Sequence, residues 1–301
     1  MTYSTIEILK RKEFYDRKLN TKQINFLKEN GYLIIPPSKK IFDWIGMKIS
    51  DLLTILDDLI QKEGLAGGSE GKEEFSVQKG KRIEEGALRL SNLIDKHYVM
   101  RKVATLPEIL WGAYEVLNDE IKLSSIIFRE PIKNKGQQDI HIDWLPRESQ
   151  EEKFGEITAM LYLDDSTKSN GATKLIPGSH KKISYPEKYI DPRSNPKEEI
   201  VIEAIAGSIL ILNSNTWHRG GENLSGARRR ILNIDYRRRE LKQLLNSKMY
   251  ISKKTQSSLT EEEKYFFALR EIDLSQNEKS FGVGSHRREW LKQNPQYNYE
   301  N

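Results

Sequence analysis

The chain has 301 residues, 37% hydrophobic and 31% charged, which is enough for one large domain or two small ones around a sizeable core. No apolar run approaches the roughly 18 residues that span a bilayer, and the polar stretch Met1–Lys22 lacks a signal-peptide core, so a cytoplasmic protein without membrane contact is expected. The net charge is +5, with residues 1–50 and 201–250 each contributing +5 and residues 51–100 contributing −3, and within 201–250 the charge comes in two arginine triplets, Arg228–Arg230 and Arg237–Arg239. No long basic tail with interleaved aromatics is present, which argues against nucleic acid and for small acidic ligands.

In chain order, the first third is expected to be helical. Asn20 or Thr21 caps a short helix running through Lys28, and Gly31 ends it in a left-handed turn. Tyr32–Ile35 is a short apolar strand stopped by Pro36 and Pro37. From Ile41 to Ile60, apolar residues at three- and four-residue spacings predict one amphipathic helix. Gly64–Gly71 is a Gly-rich loop, a lid or a plain connector, and Lys72–Arg82 continues it with charges. Further helices are predicted over Arg82–His97 and from Leu106-Pro107 through Leu117, the latter with proline in its first turn.

After Asp119 the texture changes to short β-leaning runs separated by turn residues. These are Ile121–Phe128, Gln138–Asp143, Glu156–Leu163, Ala172–Ile176, Glu199–Ile205, Ser208–Leu212 and Arg229–Tyr236. Such a run of strands predicts an α+β chain with a sandwich or barrel core and helices packed on one face. Thr260–Arg270 returns to helix, opened by Thr260 and three glutamates. The expected organisation is one domain over 1–301, with a helical part to about 118, a β core to about 240 and an extension beyond it.

There is no cysteine, so any metal must be held by His, Asp or Glu, and only five histidines are available. His141 and Asp143 stand two apart in a strand-like stretch, where side chains point to the same face. His218 follows the apolar run Ser208–Leu212 at what should be the rim of a sheet, and Arg229 comes eleven residues later. Two histidines and a carboxylate leave three positions on an iron(II) ion open for other ligands. An arginine on the same rim suits bidentate capture of a carboxylate. The same donors also bind zinc, but no His-Glu-x-x-His helix is present and a hydrolase leaves Arg229 without a task.

These motifs resemble the phytanoyl-CoA dioxygenase family of iron(II)/2-oxoglutarate oxygenases. The likeness runs from the opening Thr21–Pro36 through Gln138-Asp-Ile-His141-Ile-Asp143-Trp144 and Leu161–Asp165 to Gly207–Leu212, His218 and the arginine run. Its most specific stretch is Asn170-Gly-Ala-Thr-Lys-Leu-Ile-Pro-Gly-Ser-His180. The resemblance implies a double-stranded β-helix (jelly-roll) core and the cofactors iron(II), 2-oxoglutarate and O2. It implies His141, Asp143 and His218 as iron ligands, and Arg229 as the anchor for the C5 carboxylate of 2-oxoglutarate. Gln138 matches a polar position lining the pocket, and Thr158 and Tyr162 lie on a strand that helps bind 2-oxoglutarate. Arg228 and Arg230 would point away from Arg229, so only one face of that triplet fits.

The activity so implied is hydroxylation of an aliphatic C–H bond of a small molecule, with decarboxylation of 2-oxoglutarate to succinate. Desaturation, epoxidation or cyclisation use the same ligands, and a non-catalytic cupin-like binding protein is the alternative of another class. Halogenation is disfavoured, because halogenating relatives carry a small residue where this chain has Asp143. Basic residues near the site tilt the substrate toward an anion. His180 is expected to hydrogen-bond within its turn, and His97 and His286 to lie on the surface. Trp144 and Trp217 either border the pocket or simply pack, and Arg237–Arg239 reads as a solvated strand end unless it lines the pocket mouth.

Overall fold

The computed structural model describes residues 3–63, 87–270 and 284–297. Gly64–Gly71, Lys72–Arg82 and Phe281–Val283 lie outside them. Nine strands form two antiparallel sheets among the described residues. They are β1 (Tyr32–Ile35), β2 (Ala87–Leu90), β3 (Ile121–Pro131), β4 (Glu156–Tyr162), β5 (Thr173–Leu175), β6 (Ile200–Val201), β7 (Ile209–Asn213), β8 (His218–Gly220) and β9 (Ile231–Arg238). The larger sheet has the order β1-β7-β4-β9-β3-β2 and the smaller one β6-β5-β8.

The period of two along the strands gives the larger sheet its two chemistries. On one face Phe128, Ile126, Leu232, Ile234, Ala159, Leu161, Ile209 and Ile211 join a core with Ile109, Leu110, Trp111 and Ala113 of the helix Pro107–Leu117. Each such aliphatic side chain contributes roughly 1.5–3 kcal/mol by leaving water. Gly112 lets that helix approach closely, since a Cβ there would stand 2.6 Å from Ile211. On the other face Met160, Tyr162, Leu210, Leu212 and Ile231 meet Leu175 of the smaller sheet and Ile202, which directly follows β6. Two antiparallel sheets closed over a shared interior, with helices on the outer face of one, make the jelly-roll expected above.

Several sequence expectations hold closely. Asn20 caps the helix Thr21–Asn30, Gly31 ends it at φ 79°, and β1 follows directly. Pro107 opens its helix, and Thr260 forms a capping box on the shorter helix Glu261–Phe266. Others need correction. The stretch Ile41–Ile60 is two helices, Lys39–Ile45 and Ile49–Glu63, because Gly46 adopts φ 80° and ends the first. The described part of the helix predicted over Arg82–His97 opens as strand β2, paired with β3 from Ala87↔Pro131 to Leu90↔Phe128, followed by a single turn at Leu93–Lys96. Tertiary pairing outweighs local propensity there. The strand predicted at Gln138–Asp143 is reduced to one isolated bridge, His141↔His218. No described helix is long and apolar enough to cross a membrane.

Candidate metal centre and cavity

His141, Asp143 and His218 converge. One ligand atom from each lies within 4.8 Å of the others, and they are the one such group of histidines and carboxylates among the described residues. The single bridge between His141 and His218 brings two distant segments together, with backbone hydrogen bonds of 2.9 and 3.0 Å in both directions. Asp143 is fixed to the same turn, its amide donating to the Ser214 carbonyl at 2.8 Å. His218 thus does not hang from the end of β7; after a turn at Ser214–Trp217 it opens β8 in the smaller sheet.

Both imidazoles are set in one tautomer by their backbone. His141 Nδ1 lies 2.8 Å from the Asp139 carbonyl and His218 Nδ1 lies 2.9 Å from the Thr216 carbonyl. A carbonyl only accepts, so each Nδ1 carries the proton and each Nε2 presents its lone pair. The Nε2 atoms face Asp143, at 3.5 Å from Oδ1 for His141 and 3.2 Å from Oδ2 for His218. Burial alone would raise the Asp143 pKa, yet His218 and His141 together hold it well below the usual carboxylate range. Burial would lower that of His218, and Asp143 outweighs this and raises it. Two imidazole nitrogens and an ionised carboxylate, all drawing on one point, form a donor set suited to a borderline divalent ion such as iron(II). Thr158 adds a hydroxyl 3.4 Å from Asp143 Oδ2 and 3.2 Å from Ser214 Oγ.

The three residues open onto a cavity of about 210 Å³ between the sheets. Strand register sets its wall. Arg129, Ile231 and Tyr162 form one row across β3, β9 and β4; Asp235 and Thr158 form another, and Arg237 stands opposite Glu156. Arg229 precedes Ile231 by two residues and so falls on the same side of the chain. It is fully buried, and none of its three guanidinium nitrogens has a hydrogen-bond partner. Burial, and then the neighbouring charge of Arg129, pull its pKa down to about 10, while Tyr162 opposes them. The flanking arginines are engaged elsewhere. Arg228 binds Glu130 at 2.6 Å and Asp57 at 2.8 Å, and Arg230 binds Asp164 at 2.7 Å and Asp57 at 3.0 Å. An orphaned buried guanidinium is costly unless an anion completes it, so the chain's residues fit a carboxylate ligand that also reaches the triad.

The other expected residues fall as follows. Gln138 lines the cavity, with Oε1 accepting from the Gly220 amide at 2.9 Å. Thr158 faces the cavity, whereas Tyr162 is wholly buried beside Arg229, its hydroxyl without a hydrogen-bond partner. His180 does hydrogen-bond, but across the fold rather than within its turn, Nε2 lying 3.1 Å from the Lys28 carbonyl of the helix Thr21–Asn30. His286 is exposed, but His97 is half-buried and caps the helix Tyr98–Ala104. Arg237 is a correction: it is buried rather than solvated, bound to Glu156 and stacked over Trp144 at 4.5 Å. Trp217 packs against Tyr189.

Residues that the motifs did not reveal are Arg89, Arg129, Glu156 and Asp235, all on the cavity wall. The signal was present in β9, where Asn233, Asp235 and Arg237 alternate with apolar neighbours. Burial, and after it the attraction of Arg237 and the repulsion of Asp235, leave Glu156 raised to about 8. Burial likewise raises Asp235 to about 6, opposed by its bond from Ser125.

Comparison with known proteins accords with this geometry. The chain is 33% identical over 183 residues to "Iron/alpha-ketoglutarate-dependent dioxygenase ausO" of Aspergillus calidoustus, covering 57% of this chain and 61% of that one. It is 27% identical over 206 residues to "Probable alpha-ketoglutarate-dependent hypophosphite dioxygenase" of Stutzerimonas stutzeri, covering 62% and 70%. Its fold matches that of HygX from Streptomyces hygroscopicus, solved with nickel and 2-oxoglutarate bound, at a TM-score of 0.57 and 16% identity over 75% of this chain and 89% of that one. The family model described as phytanoyl-CoA dioxygenase (PhyH) matches residues 27–231. Two thirds of the sequence, holding the triad and Arg229, fall within that match, and the chain belongs to the phytanoyl-CoA dioxygenase family.

Proposed function

We propose that this protein is an iron(II)- and 2-oxoglutarate-dependent dioxygenase that hydroxylates an aliphatic C–H bond of a small-molecule substrate. His141, Asp143 and His218 would hold the iron, and Arg229 the C5 carboxylate of 2-oxoglutarate. The observation that carries the reading is Arg229, a buried cation with no hydrogen-bond partner, two residues before Ile231, which lines the cavity onto which the triad opens.

Iron(II) with 2-oxoglutarate and O2 supplies the oxidising chemistry, in which the co-substrate is decarboxylated to succinate. The protein's own task is to place and shield. The carbonyls of Asp139 and Thr216 keep both histidines in the tautomer a metal requires. Thr158 and Ser214 steady Asp143. Ile231 and Met160 line the cavity with apolar surface, and Tyr162 is buried beside Arg229.

Mixing the protein with iron(II) and 2-oxoglutarate without oxygen should produce a visible metal-to-ligand charge-transfer band. A folded protein that gives no band would sink the proposal. His141→Ala should abolish the band, whereas Arg229→Ala should weaken 2-oxoglutarate binding and spare iron binding.

A further inference from the structure

The inward row of β9 has two ends. Arg229 lies two residues before Ile231, while Asp235 lies four residues beyond it, next to Thr158 on β4. A co-substrate tethered at Arg229 leaves the Asp235 end of the cavity for the molecule to be oxidised. That end is walled by Asp235, Glu156 and Arg237, with Ile127 and Leu244 as its apolar members.

The charges there do not cancel. Arg237 is committed to Glu156, donates to the Lys242 carbonyl at 2.6 Å, and lies against the Trp144 ring. Asp235 takes a hydrogen bond from the Ser125 hydroxyl at 2.5 Å and another from Thr158, and it shares the attraction of Arg237 with Glu156, but no ion pair within 4.0 Å to a lysine or arginine is found for it among the described residues. Only 8% of Asp235 is exposed, so water offers little compensation. Arg229, just before β9, and Asp235, within it, thus present complementary charges along one row: a buried cation without a hydrogen-bond partner, and a buried acid held by two hydroxyls but by no close ion pair of its own.

We propose that the Asp235 end of the cavity is a subsite for a protonated amine, and that the substrate is a small polar amine rather than a long acyl chain. The ammonium group donates to the Asp235 carboxylate, the carbon skeleton rests on Ile127 and Leu244, and a C–H bond near the nitrogen faces the triad. A long hydrocarbon in the same place would press against two carboxylates and an arginine and strip them of solvent without replacing a hydrogen bond. Asp235, which is not a metal ligand, is then the residue that selects the substrate. This inference rests on the iron and 2-oxoglutarate reading above.

The test uses the full chain loaded with iron(II) and 2-oxoglutarate, and follows succinate release together with the anaerobic charge-transfer band. The probes are small primary amines (amino acids, amino alcohols and diamines), the N-acetyl counterpart of each, and straight-chain acyl thioesters. Free amines should stimulate succinate release and perturb the band, and acetylation should weaken the effect about tenfold or more. Asp235→Asn keeps the acceptor for Ser125 but removes the charge. It should raise the KM for the amine by a similar factor while leaving the band and the KM for 2-oxoglutarate unchanged. The proposal is overturned if acyl thioesters stimulate and amines do not, if no probe amine stimulates a protein that forms the band, or if Asp235→Asn leaves the amine KM unmoved. It is also overturned if Asp235→Asn acts through the band itself, since Asp235 would then be positioning Asp143. Absence of the band in the wild-type protein would instead reject the underlying reading.

Discussion

Thr158 stands on β4 with its hydroxyl 3.4 Å from Asp143 Oδ2, and the same oxygen lies 3.2 Å from Ser214 Oγ. The carboxylate is therefore braced from the larger sheet while the two histidines are braced by their own backbone. Replacing Thr158 with valine keeps the volume and removes the brace. Iron affinity should fall about tenfold, the lower end of what outer-shell partners contribute, in a competition titration against a chelator. An unchanged affinity would mean that Ser214 alone is enough to orient Asp143.

Arg229 gives a prediction with two opposite signs. Arg229→Met should raise the KM for 2-oxoglutarate about a hundredfold, as expected for losing a bidentate charged pair worth roughly 3 kcal/mol. The same change should stabilise the ligand-free protein by about 1–3 kcal/mol, because it removes a buried charge that lacks a partner. Thermal unfolding with and without 2-oxoglutarate measures both. A variant that is less stable without ligand would show that the guanidinium has compensation of another kind.

His180 should make stability depend on acid. Burial, partly offset by its bond to the Lys28 carbonyl, lowers its pKa from 6.5 to about 4. Between those values the unfolded chain takes up a proton that the folded chain resists. This contribution is complete above pH 6.5 and is lost as the pH falls toward 4, by up to about 3 kcal/mol. Urea midpoints at pH 7 and pH 4.5 should therefore differ more for the wild type than for His180→Gln. Equal differences would reject the assignment.

Gly31 ties the helical layer to the metal centre. Its φ of 79° is left-handed, and a Cβ there would lie 2.4 Å from both His180 Nδ1 and Thr216 Oγ1. Thr216 is also the residue whose carbonyl orients His218. Gly31→Ala should cost about 2–4 kcal/mol from backbone strain and displacement of these neighbours. It should weaken iron binding as well, although Gly31 touches no ligand. Calorimetry with an iron titration would separate a purely structural loss from one transmitted to His218.

The convergence of the three proposed ligands was legible in the sequence because its evidence is local or positional. His141 and Asp143 sit two residues apart, His218 follows an apolar run, and Arg229 lies a fixed distance beyond. The substrate end was not legible for the opposite reason. Glu156, Asp235 and Arg237 become one site only through the pairing of β4 with β9, and the alternation in β9 alone does not say which residues of β4 stand opposite. The segment Ala87–Leu90 failed similarly, since its extended form is imposed by β3. The caps at Asn20 and Thr260 and the boundaries at Gly31 and Pro107 were read well, because their chemistry acts within a turn of the chain, whereas the break at Gly46 was missed inside an unbroken apolar period.

The triplet Arg228–Arg230 also acts as a ratchet against slippage. Any one-residue shift of this segment would deliver an arginine to the interior, so composition alone does not choose among the three. The choice is made by Asp57, Glu130 and Asp164, which hold the outer two in ion pairs, Glu130 from β3 itself. A slipped chain would have to tear both grips open and push an unneutralised carboxylate toward the gap. One insertion or deletion between His218 and Ile231 is therefore expected to be far more damaging than most substitutions there, and the three acids, by holding Arg228 and Arg230, leave Arg229 as the unpaired member of the triplet.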